Sequence, residues 1–375
     1  MEFTVTLRPT GHQFKCNAET PILRSGLAAG MFLAYSCRSG VCQTCRGRVV
    51  DGDVDFGQVH PAYLTEQDKA EGYALLCQAM PKSDVTIEVH ELAANEATRS
   101  RNLPVRVLRT ERLAPDVMMV ELGTPANEPV QFLAGQYLDI DSGNGEKRSY
   151  SIANISNAEG VRQLELHIRH MPGGLFTERV FNKLKAREML KIEVPLGTFY
   201  LREDSDKPMI MIASGTGFAP IKAIIEHGLR MGHKRPITLY WGGRRRNDIY
   251  MAKLAEQWAQ EHHHITFVPV LSDATAECYW TGRTGFVHHA AMHDFPDMSG
   301  HQVYACGAPV VVEGARRDFV ADCALPPDEF YADSFITAAD RAPMPSNADA
   351  STSTSTATST ATGAAATATE SAPTA

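Results

Sequence analysis

A multidomain chain, part α+β and part α/β, is predicted by three observations. Residues 1–92 alternate short strands around a cysteine-rich loop, residues 103–206 carry short apolar runs between turn residues with a single helix, and from 207 onward strands and helices alternate. At 375 residues, 43% of them hydrophobic, the chain exceeds what one core supports and divides into two or three domains.

Taken in order, residues 3–7 and 13–17 read as strands. A helix follows, with Thr20 as cap, Pro21 in its first turn and Gly30 at its end. Strands at 47–50 and 85–89 bracket Cys77, which the fold must bring back toward the loop. Residues 93–102 carry no apolar side chain larger than Ala and read as a linker. Strands at 105–107, 117–122, 137–140, 148–152, 164–168 and 190–194, with one helix at 175–184, suggest a small barrel over 103–206. Over 207–338, strands at 209–213, 237–241, 265–270 and 303–306 alternate with helices at 219–231, 249–260 and 310–324, the pattern of a parallel sheet covered by helices. Residues 339–375 are mostly Ala, Thr and Ser with hardly a hydrophobic anchor, cannot bury a core, and are expected to be disordered.

Cys37, Cys42 and Cys45 followed by the distant Cys77 reproduce the C-x4-C-x2-C…C spacing with which plant-type ferredoxins hold a [2Fe-2S] cluster. The loop from Ser36 to Cys45 is small and polar, and Gly40 permits a tight fold around inorganic sulfide. Two readings compete. A Cys42/Cys45 dithiol of the thioredoxin kind needs no third cysteine upstream and belongs at a strand-to-helix turn. A structural zinc site usually takes two matched pairs, whereas the pattern here is three plus one. Cys16, Cys278, Cys306 and Cys323 are scattered, and no disulfide is expected.

Met209-Ile210-Met211-Ile212-Ala213 reads as a buried central strand feeding Ser214-Gly215-Thr216-Gly217 and a helix. Gly215, Thr216 and Gly217 then offer backbone N–H groups and a helix N-terminus to a pyrophosphate; a plain structural turn is the alternative if the glycines stood alone. Arg148, Tyr150 and Ser151 place a cation, an aromatic ring and a hydroxyl on one strand, with Ser151 on the face opposite the other two. Such a trio suits a diphosphate and a flavin, although an exposed barrel surface reads the same way. Gly173-Gly174 opens the barrel's helix, with Thr177 in its first turn, as a second phosphate cradle or a simple glycine turn.

The net charge of −8 and a pI near 6.0 argue against nucleic acid as a partner. Neither an eighteen-residue apolar run nor a signal-peptide centre occurs, so no membrane association is expected and a cytoplasmic location is. His262, His263 and His264 point in different directions at a helix end and read as solvated surface. Ser214 lacks the Gly-x-Ser-x-Gly elbow, and no catalytic triad is placed.

The four cysteines, Arg148-x-Tyr150-Ser151, Gly173-Gly174-x-x-Thr177, Gly215-Thr216-Gly217-x-x-Pro220 and Tyr304-Ala305-Cys306-Gly307-Ala308-Pro309 occur in one order. In these motifs the chain resembles the ferredoxin-type NAD(P)H reductase components of multicomponent oxygenases, the naphthalene dioxygenase reductase group in particular, and the related CDP-6-deoxy-glucoseen reductases. The resemblance spans 3–335 and implies a β-grasp ferredoxin domain, a Greek-key flavin-binding barrel and a nucleotide-binding domain. It implies that Arg148, Tyr150, Ser151, Gly174 and Thr177 bind FAD, with His167 and Arg169 near its diphosphate or adenosine end. It places the NAD pyrophosphate on Gly215, Thr216 and Gly217, and Cys306 and Gly307 beside the nicotinamide, with Cys306 as the catalytic position. Phe335, in the aromatic ending, would lie near the flavin. Asp273 at the ribose position would repel a 2'-phosphate and favours NADH over NADPH, against the opposite pull of Arg244, Arg245 and Arg246.

The function so implied is a reductase with electrons running from NADH to FAD to [2Fe-2S] to a partner protein, the oxygenase component of a hydroxylating system first and a deoxysugar dehydrase as the alternative. A redox sensor or scaffold without turnover is the reading from another class. The acceptor is expected to dock near the cluster loop, where Arg38, Arg46 and Arg48 would meet an acidic surface.

Overall fold

The structure is a computed structural model that describes residues 1–92, 100–143, 145–274 and 279–336. Most of the linker read over 93–102, all of the tail over 339–375 and Cys278 lie outside the described residues.

The first unit contains β1 (Glu2–Arg8), β2 (Gln13–Asn17), α1 (Ile22–Ala28), β3 (Arg46–Asp51), β4 (Val54–Asp55), α2 (Glu66–Ala70), β5 (Tyr73–Leu75), β6 (Met80–Pro81) and β7 (Val85–Glu88). A mixed five-stranded sheet in the order β2-β1-β7-β3-β5 packs against α1, and β4 pairs with β6 beside it. Alternate residues such as Val5, Leu7, Val85 and Ile87 are buried under that helix, as a sheet covered on one face requires. The expected Thr20 cap is corrected. Pro21 occupies the cap position, because the free N–H groups of Ile22 and Leu23 bond the carbonyls of Ala79 and Leu76, each at 2.9 Å. This docking brings the segment carrying Cys77 alongside the helix. Helix α2, which periodicity did not indicate, is one short turn closed by a Thr65/Asp68 capping box.

The second unit is an antiparallel sheet of β8 (Arg101–Ala114), β9 (Val117–Gly123), β10 (Tyr137–Asp141), β11 (Lys147–Ser151), β12 (Gln163–Arg169) and β13 (Met189–Leu196), with α3 (Leu175–Asn182). Its order is β11-β10-β13-β8-β9-β12, and the Ile152–Leu166 bridge joins the two ends into a barrel. Strand β8 begins inside the stretch read as linker, since Arg101 and Asn102 pair with Val194 and Glu193.

The third unit contains β14 (Met209–Ser214), α4 (Phe218–Arg230), β15 (Ile237–Gly243), α5 (Ala252–Glu261), β16 (Ile265–Leu271), β17 (Arg283–Thr284), α6 (Val287–Asp294), β18 (Gln302–Gly307), α7 (Pro309–Asp322) and β19 (Phe330–Ser334). All six strands are parallel in the order β17-β16-β15-β14-β18-β19. Residues Met209 to Ala213 are at most 3% exposed, which explains their unbroken apolar run. Chain order reverses between β14 and β18, and their carboxyl ends form the crevice where open α/β sheets bind ligands. This is the fold class predicted from the sequence.

Candidate functional site

The loop from Ser36 to Cys45 reaches β3 through left-handed backbone at Arg38 (φ 54°), Gly40 (φ 76°) and Gln43 (φ 59°). A Cβ on Gly40 would lie 3.0 Å from the Gln78 side chain next to Cys77, so glycine lets the two segments close on each other. The amides of Ser39 and Cys42 donate to Cys37 Sγ at 3.4 Å, and that of Cys37 donates to Cys42 Sγ at 3.5 Å. Hydrogen bonding between the thiols raises Cys37 and pulls Cys42 down to about 5, and the Cys45–Cys77 contact raises the first thiol and lowers the second. Four gathered sulfurs, with backbone amides donating to those of Cys37 and Cys42, suit a thiolate-bound iron–sulfur centre.

Strands β10 and β11 pair Tyr137 with Ser151 and Asp139 with Ser149, so these four share one face, while Arg148 and Tyr150 take the other. That first face meets the cysteine loop. Tyr137 donates to the Ser36 carbonyl at 2.9 Å, and Arg38 donates to Asp139 at 2.7 Å. On the other face, Tyr150 lies with its ring 5.6 Å from that of Phe176, and Arg148 is tethered at 2.6 Å to the exposed Glu146. Thr177 donates to the carbonyls of Met171 and Gly174 at 2.9 and 3.1 Å, which sets the turn before α3, and at Gly173 (φ 77°) an added Cβ would meet nothing within 4 Å. This open glycine turn beside Arg148 and Tyr150 suits the diphosphate of a flavin dinucleotide.

At the crevice, a Cβ on Gly217 would sit 2.1 Å from the Cys306 carbonyl oxygen, and one on Gly307 (φ 135°) 2.6 Å from that of Ser214. The glycine turn and the end of β18 are therefore in backbone contact, as close approach to a pyrophosphate demands. Trp241 donates to the Gly215 carbonyl at 3.1 Å and stacks on Phe218 at 3.7 Å, holding Thr216 and the turn from beneath. Cys306 is fully buried, and burial pushes its thiol well up. Phe335 bonds the Gly307 carbonyl through its N–H at 2.8 Å.

His167 and Arg169 are turned toward the third unit. The buried His167 ring contacts Tyr250 Oη and Glu165 Oε1, both at 2.9 Å, and burial lowers its pKa. Although burial alone would raise Glu165, the His167 ring and Lys222 hold it at about 2. Arg169 spans Asp116 and Asp248 at 2.7 Å each, with Nη1 lying where a Gly215 Cβ would come within 2.7 Å. Asp273 is exposed, with Arg245 Nε 3.5 Å away.

Asp333 is the residue that sequence reasoning missed. It sits opposite Cys306 in the β18–β19 register, accepts from Ser36 Oγ, and accepts from Ser151 Oγ at 3.5 Å. Burial pushes its carboxyl up to about 6. One side chain thus joins the cysteine loop, the barrel strand and the crevice. The only sequence signal was an acid within the aromatic-flanked stretch from Phe330 to Phe335.

The three arginines read as the docking surface also make contacts within the chain: Arg38, its side chain 35% exposed, pairs with Asp139 at 2.7 Å, Arg46 pairs with Asp68 at 2.6 Å and lies over the Tyr73 ring, and Arg48 donates to the Glu71 carbonyl at 3.1 Å. Further bonds bind the loop to both other units. Tyr35 and Thr198 exchange backbone and hydroxyl bonds at 2.8–2.9 Å, and Gln43 donates to Glu313 at 2.8 Å.

Comparison with known proteins agrees with this geometry. The family model for the 2Fe-2S iron-sulfur cluster binding domain matches residues 5–82, that for the oxidoreductase FAD-binding domain 104–200, and that for the oxidoreductase NAD-binding domain 211–317. The chain is 37% identical to the CDP-6-deoxy-L-threo-D-glycero-4-hexulose-3-dehydrase reductase of Yersinia pestis, over 90% of this chain and 99% of that protein. It is 32% identical to the phenol hydroxylase P5 protein of Acinetobacter pittii, over 91% and 97% respectively. Among solved structures, the Amycolatopsis cytochrome P450 reductase GcoB superposes with a TM-score of 0.70 at 33% identity, covering 89% of this chain and 98% of that one.

Proposed function

The chain belongs to the family of reductases that join a 2Fe-2S domain to oxidoreductase FAD-binding and NAD-binding domains, and on that premise we propose that it is the electron-delivering component of a hydroxylating oxygenase. It is an NAD(P)H-dependent flavoprotein oxidoreductase in which electrons run from the nicotinamide through FAD to the [2Fe-2S] cluster and on to a partner protein. When bound, FAD supplies the conversion of a two-electron hydride into the single electrons that an iron–sulfur centre carries.

The chain's own residues bind, orient and exclude water. Cys37, Cys42, Cys45 and Cys77 ligate the cluster. Arg148 and the Gly173-Gly174 turn with Thr177 would hold the FAD diphosphate, with Tyr150 against its ring system and Ser151 as a hydroxyl donor to it. Gly215, Thr216 and Gly217 would take the coenzyme pyrophosphate, Cys306 and Gly307 would lie beside the nicotinamide, and Phe335 would lie near the flavin. His167 and Arg169 would lie near the FAD diphosphate or adenosine end, where their bonds to Tyr250 and Asp248 also join the barrel to the third unit. Asp273 selects NADH, since it both repels a 2'-phosphate and engages Arg245.

The observation that carries this reading is Asp333, whose partners Ser36 and Ser151 and strand neighbour Cys306 bring the cluster loop, the flavin strand and the nicotinamide crevice to one point. Among the described residues no helix is long and apolar enough to cross a membrane, and we place the protein in the cytoplasm, beside its coenzyme supply. A deoxysugar dehydrase is the second acceptor, favoured by the 37% identity to the Yersinia reductase.

The test is reduction by NADH of purified oxygenase and dehydrase components, with Cys77→Ser alongside. Cys77→Ser should lose iron, acid-labile sulfur and partner reduction while NADH still reduces ferricyanide through the flavin. Partner reduction that persists in a cluster-free variant would refute the route.

A further inference from the structure

We propose that His288, His289 and Asp318 form a binding site for a divalent cation of the zinc class, clamped between α6 and α7 and separate from the electron route. One ligand atom from each of the three lies within 4.8 Å of the other two. His288 Nε2 is 3.3 Å from Asp318 Oδ2, and His289 Nε2 is 3.9 Å from the same oxygen. These separations are long for charge-assisted hydrogen bonds. They approach instead the edge of a tetrahedron built on zinc bonds of about 2.0–2.1 Å, which is roughly 3.3 Å.

The surroundings prepare the ligands. Arg317 Nε donates to Asp318 Oδ1 at 2.7 Å, which fixes the carboxylate and leaves Oδ2 turned to the two rings. Gly314, one turn earlier on α7, removes a side chain whose Cβ would lie 3.3 Å from both Cε1 and Nε2 of His288. The His288 side chain is 8% exposed, so its Nε2 is held against Asp318 and away from bulk water. His289, with 59% of its side chain exposed, leaves an open side for the ion to enter and for water to complete its coordination. An imidazole pair with one carboxylate suits a borderline cation better than calcium or magnesium, which prefer oxygen.

Helix α7 also carries Glu313, bonded to Gln43, and Arg316, whose Nη2 donates to the Cys42 carbonyl at 3.4 Å. An ion bridging α6 and α7 would brace the helix that touches the cysteine loop.

The test uses holoprotein with its cluster iron at full occupancy, so that the four cysteines are not free to take zinc. Calorimetric titration with zinc chloride is expected to show one micromolar site per chain, weakened at least tenfold in His289→Ala and in Asp318→Asn. The competing His262-His263-His264 run is controlled by His262→Ala/His263→Ala, which should leave the site intact. Zinc should also raise the thermal midpoint of the parent but not of His289→Ala, a change at an exposed position that the fold tolerates. Absence of binding at millimolar zinc, binding unaffected by both His289→Ala and Asp318→Asn, or its loss in His262→Ala/His263→Ala would each overturn the assignment.

Discussion

Arg38, the residue after the first cysteine of the cluster motif, donates a 2.7 Å hydrogen bond to Asp139 of the barrel, whose side chain is only 2% exposed. Ser149 Oγ donates to the second Asp139 oxygen at 2.6 Å, and the guanidinium lies 5.6 Å from the Tyr137 ring. A nearly buried carboxylate is tolerated because both oxygens are engaged. The cysteine loop is consequently latched to the flavin-binding barrel by an ion pair rather than left facing solvent.

Asp139→Ala leaves the Arg38 charge without its partner. The expected loss is roughly 3 kcal/mol, the low end for breaking a buried pair, because Arg38 keeps part of its surface in water. NADH–ferricyanide activity should stay near parental, while electron passage to cytochrome c through the cluster falls at least tenfold. Equal loss of both activities would show that the pair serves general stability instead of holding the loop.

Asp333 titrates at about 6, above its unfolded value, because it is buried. The native chain therefore holds a proton that the unfolded chain releases between about pH 4 and 6, and stability falls as pH rises through that window. In Asp333→Asn this fall should vanish, giving denaturation midpoints that stay level from about pH 4 to 6 where the parent's decline. Parallel pH profiles in the two proteins would assign the titration elsewhere.

Gly217→Ala forces a methyl group to within 2.1 Å of the Cys306 carbonyl oxygen. Backbone cannot yield as a side-chain tip can, so a stability loss of about 1–3 kcal/mol or more is expected, with the crevice between β14 and β18 pried open. Rapid-mixing measurement of flavin reduction should show NADH affinity falling at least tenfold while cluster iron stays at the parental content.

Asp273→Ser removes the carboxylate that faces Arg245 at 3.5 Å. The freed guanidinium then suits a 2'-phosphate, and the ratio of kcat/KM for NADH over NADPH should drop at least tenfold. An unchanged ratio would mean that the ribose lies elsewhere.

The fold classes and their order were legible because each rests on local pattern. The apolar run from Met209 to Ala213 needs no partner to be read as a central strand, and the cysteine spacing carries its meaning within a few residues. The cap of α1 was misread because its partners, Leu76 and Ala79, arrive from more than fifty positions away. Helix α2 is a single turn, too short for periodicity to emerge, and α6 buries only Val287, His288 and Ala291 in a histidine-rich run that shows no apolar stripe.

By itself, then, the sequence determined which chemistries the chain carries: four thiols at cluster spacing, two glycine turns, and an aromatic and a cation on one strand. Tertiary structure alone decided how they meet. Ser36 reaches Asp333 across 297 positions and Arg38 reaches Asp139 across 101, contacts that no local periodicity encodes. A side chain's propensity acts over a few residues, whereas its partner across a domain seam is set by how whole sheets pack, and that packing turned one arginine inward and brought one buried acid to the junction of all three units.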